Sequence, residues 1–120
     1  MKTVMKTLAL LLGSSALLPS AAMARENDFP TVARVLYVQE CMSTRPGSNF
    51  EMVNKCSCAL DALAAEVSYE DYTTMSTIVK ARSIGGERGG TLRDNETLDA
   101  PTKRYRDLQT KVMKGCFLTP

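Results

Sequence analysis

The sequence of 120 residues contains no histidine and no tryptophan. Histidine is the commonest general base in enzymes and the commonest metal ligand. Its absence excludes Ser-His and Cys-His nucleophile pairs, histidine-ligated zinc or copper centres and the usual haem attachment. We therefore expect no catalytic residue, no metal ligand and no cofactor, and we expect that the protein is not an enzyme.

The chain also has no apolar run of the length that spans a membrane. The apolar stretch at 8–18 is shorter than the ~20 residues that a spanning helix needs. Two lysines precede it, and Ala-Met-Ala at 22–24 follows in the small-x-small pattern that signal peptidase cleaves. These features predict a cleaved secretory signal peptide at 1–24, an exported single domain at 25–120 and a periplasmic location. An uncleaved membrane anchor is the alternative.

The predicted exported domain carries no excess charge of either sign. Without Lys2 and Lys6 of the signal peptide, 13 basic and 13 acidic residues remain. Residues 25–79 have four basic and eight acidic side chains, whereas residues 80–120 have nine and five. A neutral domain lacks the basic surface that nucleic acids require, so we expect none to bind. The asymmetry indicates either attraction between the two parts of the fold or a basic face for an acidic protein partner.

Four cysteines, Cys41, Cys56, Cys58 and Cys116, predict two disulfides, because their number is even and the chain is short and exported. On a helix, Cys56 and Cys58 point about 200° apart, so each can tie that helix to a different neighbour. We favour the pairing Cys41–Cys56 and Cys58–Cys116, and the exchanged pairing stays open. A second hypothesis is a thiol redox or Cu(I) site at Cys56 and Cys58, since soft ligands suit that ion. Against it, the spacing is not that of a CxxC motif.

Apolar spacing predicts an all-α fold, a small bundle of about four short helices. Ser48 and Glu51 have the spacing of a capping box, and Asp99 with Pro101 has the pattern of a capped helix start. The predicted helices cover 31–43, 50–66, about 68–82 and 99–116.

The same spacing predicts which helix faces are buried. In the first helix we expect Val32, Val35, Leu36 and Gln39 to share one side and Tyr37, Val38 and Cys41 to widen the apolar stripe. In the second helix we expect a core face formed by Val53, Cys56, Leu60, Leu63 and Val67.

A glycine-rich loop at 84–94 is predicted before the last helix. Glycines permit close approach of the backbone, whose N–H groups can surround an anion, and arginines can add contacts to carboxylates. This segment is the candidate binding site for a protein partner, and a flexible connection is the alternative. The candidate residues are Arg82, Gly85, Gly86, Glu87, Arg88, Gly89, Gly90, Arg93 and Asp94.

Several short stretches resemble a group of small, exported, four-cysteine proteobacterial proteins of unknown function. The stretches are Tyr37-Val38-Gln39-Glu40-Cys41, 55–61 (Lys-Cys-Ser-Cys-Ala-Leu-Asp), 86–90 (Gly-Glu-Arg-Gly-Gly) with Arg93-Asp94, and Cys116. That group is associated with the periplasmic quinoprotein dehydrogenase systems of methylotrophs. The resemblance implies a periplasmic accessory role and assigns no activity to any residue.

The leading functional hypothesis is a non-enzymatic periplasmic accessory or binding protein that presents the 84–94 segment and the basic last helix, with Lys103, Arg104 and Arg106, to a protein partner. A second is a periplasmic holdase-type chaperone of acid stress, whose switch would depend on carboxylates because histidine is absent. A third is a glycoside-cleaving enzyme with paired carboxylates drawn from Glu66, Glu70, Glu87 and Asp94.

Overall fold

The computed structural model describes residues 27–120, which form helices and no strand. The all-α prediction is confirmed, with five α-helices in place of about four. None of these helices combines the length and the apolar character needed to cross a membrane. The signal peptide predicted at 1–24 lies outside the described residues. The helices are α1 (Thr31–Ser43), α2 (Asn49–Glu66), α3 (Tyr69–Arg82), α4 (Gly86–Arg93) and α5 (Asp99–Gly115), with a 3-10 turn at Glu96–Leu98 between the last two.

Serine caps begin the two central helices. The Glu51 N–H donates to the Ser48 hydroxyl at 3.4 Å, and the Asp71 N–H donates to the Ser68 hydroxyl at 3.1 Å. Each bond satisfies one of the backbone donors that a helix start leaves free. The predicted capping box is therefore half formed, since the Glu51 carboxylate accepts from Lys55 at 2.6 Å.

Helix α2 is the centre of the core. It packs against α1 on one side and α5 on the other, and α5 also packs against α3. Cys56 and Leu63 have the most completely buried large side chains, and the small Ala59 and Ala64 are buried beside them. Small side chains let neighbouring helices approach closely, which explains why an alanine-rich helix occupies this position.

Two disulfides fasten α2 to its neighbours, and the favoured pairing is confirmed. Cys41–Cys56 joins α1 to α2 across a Cα–Cα distance of 5.9 Å. Cys58–Cys116 joins α2 to the residue that follows α5 across 5.8 Å. Because α1 and α5 lie on different sides of α2, the opposed directions of Cys56 and Cys58 select this pairing.

The prediction of a loop at 84–94 is wrong for most of its length, because residues 86–93 form α4. Gly89 is buried against the turn that precedes the helix, and a Cβ built there would lie 1.6 Å from the Ile84 carbonyl oxygen. The Arg93 guanidinium donates to the carbonyls of Arg82 at 3.1 Å and Ile84 at 2.8 Å. These tertiary contacts compensate for the low helix propensity of glycine.

The predicted orientation of α1 is also wrong in part. Val32, Val35 and Leu36 are 66%, 49% and 57% exposed, whereas Tyr37 and Cys41 are buried. The Cys41–Cys56 bridge turns the Tyr37 and Cys41 side toward the bundle. The other apolar side of α1 therefore faces outward.

One predicted core residue of α2 is turned outward as well. Val53 is 40% exposed, while Cys56, Leu60, Leu63 and Val67 are buried as expected. Met52 takes the inward position in the first turns of the helix.

Candidate functional site

The two arginines that flank the predicted binding segment bond to the fold itself, Arg82 from a largely buried position and Arg93 from an exposed one. The Arg82 guanidinium donates to the Thr102 hydroxyl at 3.0 Å, the Arg93 carbonyl at 2.8 Å and the Asp99 carboxylate at 2.8 Å. The Arg82 side chain is only 14% exposed. Asp99 thus serves as the ion-pair partner of Arg82, whereas the start of α5 has no side-chain cap, contrary to the prediction. Arg82 and Arg93 join α3, α4 and α5, and most of their donors face protein oxygens.

The other predicted binding residues divide between the surface and the interior of α4. Gly89 is buried and Gly90 is half-buried, so neither offers its backbone to a ligand. Gly85, Gly86, Glu87, Arg88 and Asp94 are exposed. Within residues 27–120, the Glu87 and Arg88 side chains form no ion pair and no hydrogen bond. On α4, the predicted segment therefore offers two exposed charged side chains, Glu87 and Arg88, which do not bond to one another.

A second surface feature is the α1–α2 groove, an apolar depression of about 510 Å³ between the first two helices. The Arg34 guanidinium and the Asp61 carboxylate form an ion pair at 3.5 Å on its edge. Its apolar lining consists of Val35, Val38 and Met42 from α1 and Val53 and Leu60 from α2.

We call Val32, Val35 and Leu36 the α1 outer face. Val35 lines the groove, whereas Val32 and Leu36 line a neighbouring depression between α1 and α3. The large apolar side chains exposed in the described part of the chain are Val32, Val35, Leu36, Phe50, Val53, Ile84 and Phe117. The first five belong to α1 or to the first turns of α2. Scattered exposed apolar residues are ordinary, but contiguous ones mark interaction surfaces. The cluster therefore makes this side of the molecule the best candidate for a docking surface.

The third feature is the tyrosine pocket, a cavity of about 140 Å³ between α1, α3 and α5. Tyr37, Tyr72 and Tyr105 contribute one ring from each helix, with neighbouring ring centroids 6.3 Å and 6.2 Å apart. The Tyr37 hydroxyl donates to Gln109 Oε1 at 3.0 Å. Arg45 also lines the pocket.

Burial sets the protonation state of these phenols. Desolvation, with the nearby Tyr105, raises the pKa of Tyr37 to about 12. Desolvation likewise raises the pKa of Tyr72 and of Tyr105 above the usual value. Since tyrosine in water titrates near 10, all three hydroxyls remain protonated at neutral pH and can donate hydrogen bonds.

Two further groups in the tyrosine pocket have hydrogen-bonding capacity that the protein leaves unused. Gln109 Nε2 is the buried side-chain nitrogen or oxygen without a partner among the described residues. Arg45 donates to the Thr119 carbonyl at 3.2 Å, the Cys41 carbonyl at 3.3 Å and the Met113 sulfur at 2.9 Å. No carboxylate within the described part of the chain forms an ion pair with Arg45. The pocket thus holds a cation that forms no ion pair and an amide nitrogen without a partner, and the Glu40 carboxylate also lines it.

No protein family, no curated protein and no solved structure matches this chain. The resemblance to exported proteobacterial proteins stays a prediction.

Sequence reasoning missed both the groove and the tyrosine pocket. The three tyrosines come from three helices, and only their packing brings the rings together. The spacing of Val32, Val35 and Leu36 predicts an apolar side of α1, and the structure exposes that side instead of burying it in the core. An apolar stripe on both sides of one helix is the pattern that indicates a second, external contact.

Proposed function

We propose that this protein is a non-enzymatic accessory or binding protein that acts outside the cytoplasm and docks an amphipathic helix of a protein partner. The docking surface is the α1 outer face together with the α1–α2 groove. The observation that carries the proposal is the row of exposed Val32, Val35 and Leu36 beside an apolar groove on a cross-linked scaffold.

The shape and charge of this surface favour a helix as the occupant. Helix-in-groove recognition uses apolar anchors spaced at i, i+3 or i+4 and i+7, and the groove follows α1 from Thr31 to Met42. The charged side chains that line the groove, Arg34 and Asp61, are already paired with one another at 3.5 Å. A border of paired charges favours apolar contact over recognition of a strongly charged peptide.

The size of the surface favours a partner that binds reversibly. Stable interfaces bury roughly 800 Å² on each side and use about 20–30 residues. The cluster offers five large exposed apolar side chains, Val32, Val35, Leu36, Phe50 and Val53. That number is well below what a permanent dimer needs, so we propose a transient contact with a different protein.

The disulfides support the proposed location. Structural disulfides persist in oxidising compartments and are rare in the cytoplasm of mesophiles. All four cysteines are paired in two bridges, consistent with the signal peptide predicted from the sequence. The resemblance described above narrows the proposed compartment to the periplasm.

The sequence hypothesis placed the docking surface on 84–94, and we move it to α1. The guanidinium groups of Arg82 and Arg93 donate hydrogen bonds to oxygens of the protein itself. The exposed Arg88 remains available as an additional contact, which charge reversal with Arg88→Glu would measure separately.

Site-specific photo-crosslinking in exporting cells tests the proposal. A photoreactive residue replaces Leu36 on the α1 outer face or, as the matched control, Ile84, which is 52% exposed on the connection between α3 and α4. We expect one discrete heterologous adduct from position 36, mapped by mass spectrometry to an amphipathic helix of the partner, and none from position 84. Adding Val35→Asp should abolish that adduct, while the protein keeps its circular dichroism spectrum.

Three other outcomes would contradict the proposal. Adducts to a second copy of the chain would assign the surface to self-association. A broad set of unrelated adducts that grows on acidification would favour the holdase hypothesis. Equal yields from positions 36 and 84 would show that the α1 outer face has no special role.

A further inference from the structure

The tyrosine pocket has a chemical character that the proposed docking function does not use. It lies between α1, α3 and α5, whereas the docking surface lies between α1 and α2. The two sites share α1 but no lining residue. The polar side chains that line the pocket therefore indicate the chemistry of a ligand distinct from the docked helix.

The donor side of the pocket is built by Arg45 and Gln109. A guanidinium has five N–H donors, and the Arg45 bonds to Thr119, Cys41 and Thr44 use Nε and Nη1. Its Nη2 has only the Met113 sulfur, a weak acceptor. The Gln109 side chain lines the same cavity, and its Nε2 is buried without a partner among the described residues. A buried polar group without a partner costs free energy, which a ligand with acceptor oxygens would recover.

The acceptor side of the pocket is formed by Glu40. Its carboxylate pairs loosely with Lys80 at 3.6 Å, and both side chains are more than half exposed, so the pair leaves acceptor capacity free. A carboxylate beside the cavity repels a second negative charge on a ligand and attracts a hydroxyl or an ammonium group. The pocket thus contains one site for an anionic oxygen pair and one for a donor.

The volume limits the size of the ligand. A cavity of about 140 Å³ has the volume of about four or five water molecules at ~30 Å³ each. The rings of Tyr72 and Tyr105 supply apolar walls. A ligand that fills the space has roughly four to seven non-hydrogen atoms by the same measure.

We propose that the tyrosine pocket binds a small monocarboxylate that carries a neighbouring hydroxyl or ammonium group. Arg45 and Gln109 hold the carboxylate, Glu40 accepts from the neighbouring donor, and the tyrosine rings enclose the carbon skeleton. The Glu40 carboxylate repels the second charge of a dicarboxylate, and a neutral amide can accept a hydrogen bond from Arg45 but cannot form the bidentate ion pair of a carboxylate.

Lactate and lactamide are matched probes, because they have the same size and differ in the carboxylate. In the oxidised, ¹⁵N-labelled protein, the side-chain amide of Gln109 is followed by NMR during titration with each compound. We expect saturating shifts with lactate at a Kd of about 1 mM, a plausible affinity for so small a ligand, and about 10-fold weaker binding of lactamide. Succinate should produce no saturable shift.

Variants connect the binding to the named groups. Gln109→Leu and Arg45→Met should each weaken lactate binding about 10-fold, read from the shifts of the Tyr105 backbone amide. Gln39→Leu and Arg34→Met, which lie outside the pocket, are the matched controls and should leave it unchanged. Because Arg45 also holds the Thr119 carbonyl, its variant is used only if its circular dichroism spectrum is native, and Gln109→Leu carries the test otherwise.

Equal binding of lactate and lactamide would overturn the assignment of a carboxylate ligand. Absence of a saturable shift with lactate up to about 20 mM would overturn the site as a whole, since affinities weaker than this correspond to less than about 2.3 kcal/mol. Lactate binding that persists unchanged in Gln109→Leu would place the ligand elsewhere.

Discussion

At the scale of single residues, Gly89 has the strictest steric requirement among the glycines of residues 27–120. A Cβ at this position would lie 1.6 Å from the Ile84 carbonyl oxygen, which is backbone and cannot move aside alone. The neighbouring Gly90 has nothing nearer than 3.9 Å, and its neighbour there is the end of the flexible Arg93 side chain. Two adjacent glycines thus have different physical roles.

This contrast predicts opposite effects for two alanine substitutions. Gly89→Ala should lower the free energy of unfolding by about 2–3 kcal/mol, because the turn before α4 must shift to admit the methyl group. Gly90→Ala should be neutral or raise it by about 0.5–1 kcal/mol, since alanine favours the helix. Urea unfolding followed by circular dichroism measures both, and equal effects would contradict the steric argument.

Tyr37 makes stability depend on pH in the alkaline range. Its pKa is raised to about 12 by burial, whereas tyrosine in the unfolded chain titrates near 10. The unfolded state therefore releases this proton first, so the stabilising contribution is complete below pH ~10 and is lost as the pH rises through ~12.

We expect the urea midpoint to fall between pH 10 and pH 12, and we expect Tyr37→Phe to reduce that fall. Tyr72 and Tyr105 contribute in the same direction, so the variant should reduce the slope without removing it. Absorbance at 295 nm reports the ionisation itself. The same slope in the wild type and the variant would contradict a role for Tyr37.

At the scale of helices, α4 depends on its neighbours for its existence. Its eight residues include three glycines, and isolated helices of this length are unstable in water. Arg93 bonds to the carbonyls of Arg82 and Ile84, and Arg82 bonds to the Arg93 carbonyl and to Asp99. This reciprocal arrangement gives α4 the stabilisation that its sequence lacks.

Arg93→Met should therefore unfold α4 locally without unfolding the bundle. Hydrogen bonds to charged groups contribute about 1.5–3 kcal/mol each, so we expect amide exchange in 86–93 to accelerate about 10-fold or more. Arg88→Met, on the exposed side of the same helix, is the matched control and should change nothing. Faster exchange throughout α2 would instead indicate that Arg93 supports the whole core.

At the scale of the whole molecule, the two bridges contribute by different routes. Cys41–Cys56 spans 15 residues and Cys58–Cys116 spans 58. The loss of loop-closure entropy in the unfolded chain predicts that the shorter bridge adds about 3 kcal/mol to the free energy of unfolding and the longer bridge about 4 kcal/mol. Cys56 is fully buried, whereas Cys58 is exposed, so loss of the shorter bridge also leaves a small cavity that costs about 1 kcal/mol more.

We therefore expect the double alanine variants Cys41→Ala/Cys56→Ala and Cys58→Ala/Cys116→Ala to lose about 4 kcal/mol each. With both bridges removed, the loss reaches the whole stability of a typical small domain, and the chain should be unfolded at 37 °C. Thermal unfolding of the three proteins measures this. A difference above about 2 kcal/mol between the single-bridge variants would show that one of the two contributions is misjudged.

Local chemistry in the sequence was sufficient to determine the helical class and most helix boundaries. It favoured the disulfide pairing, which the positions of α1 and α5 around α2 then decided. Ser48 and Ser68 cap helix starts through bonds to residues three positions later, so the caps depend on local sequence. Cys56 and Cys58 are two positions apart, so their side chains point to opposite sides of any helix that contains them. Tertiary structure alone decided the outward direction of Val35, the helical state of α4 and the meeting of three tyrosines. The physical reason is that these outcomes depend on contacts between residues distant in the chain, such as Arg93 with Arg82, and the apolar pattern of α1 fits more than one side of the helix.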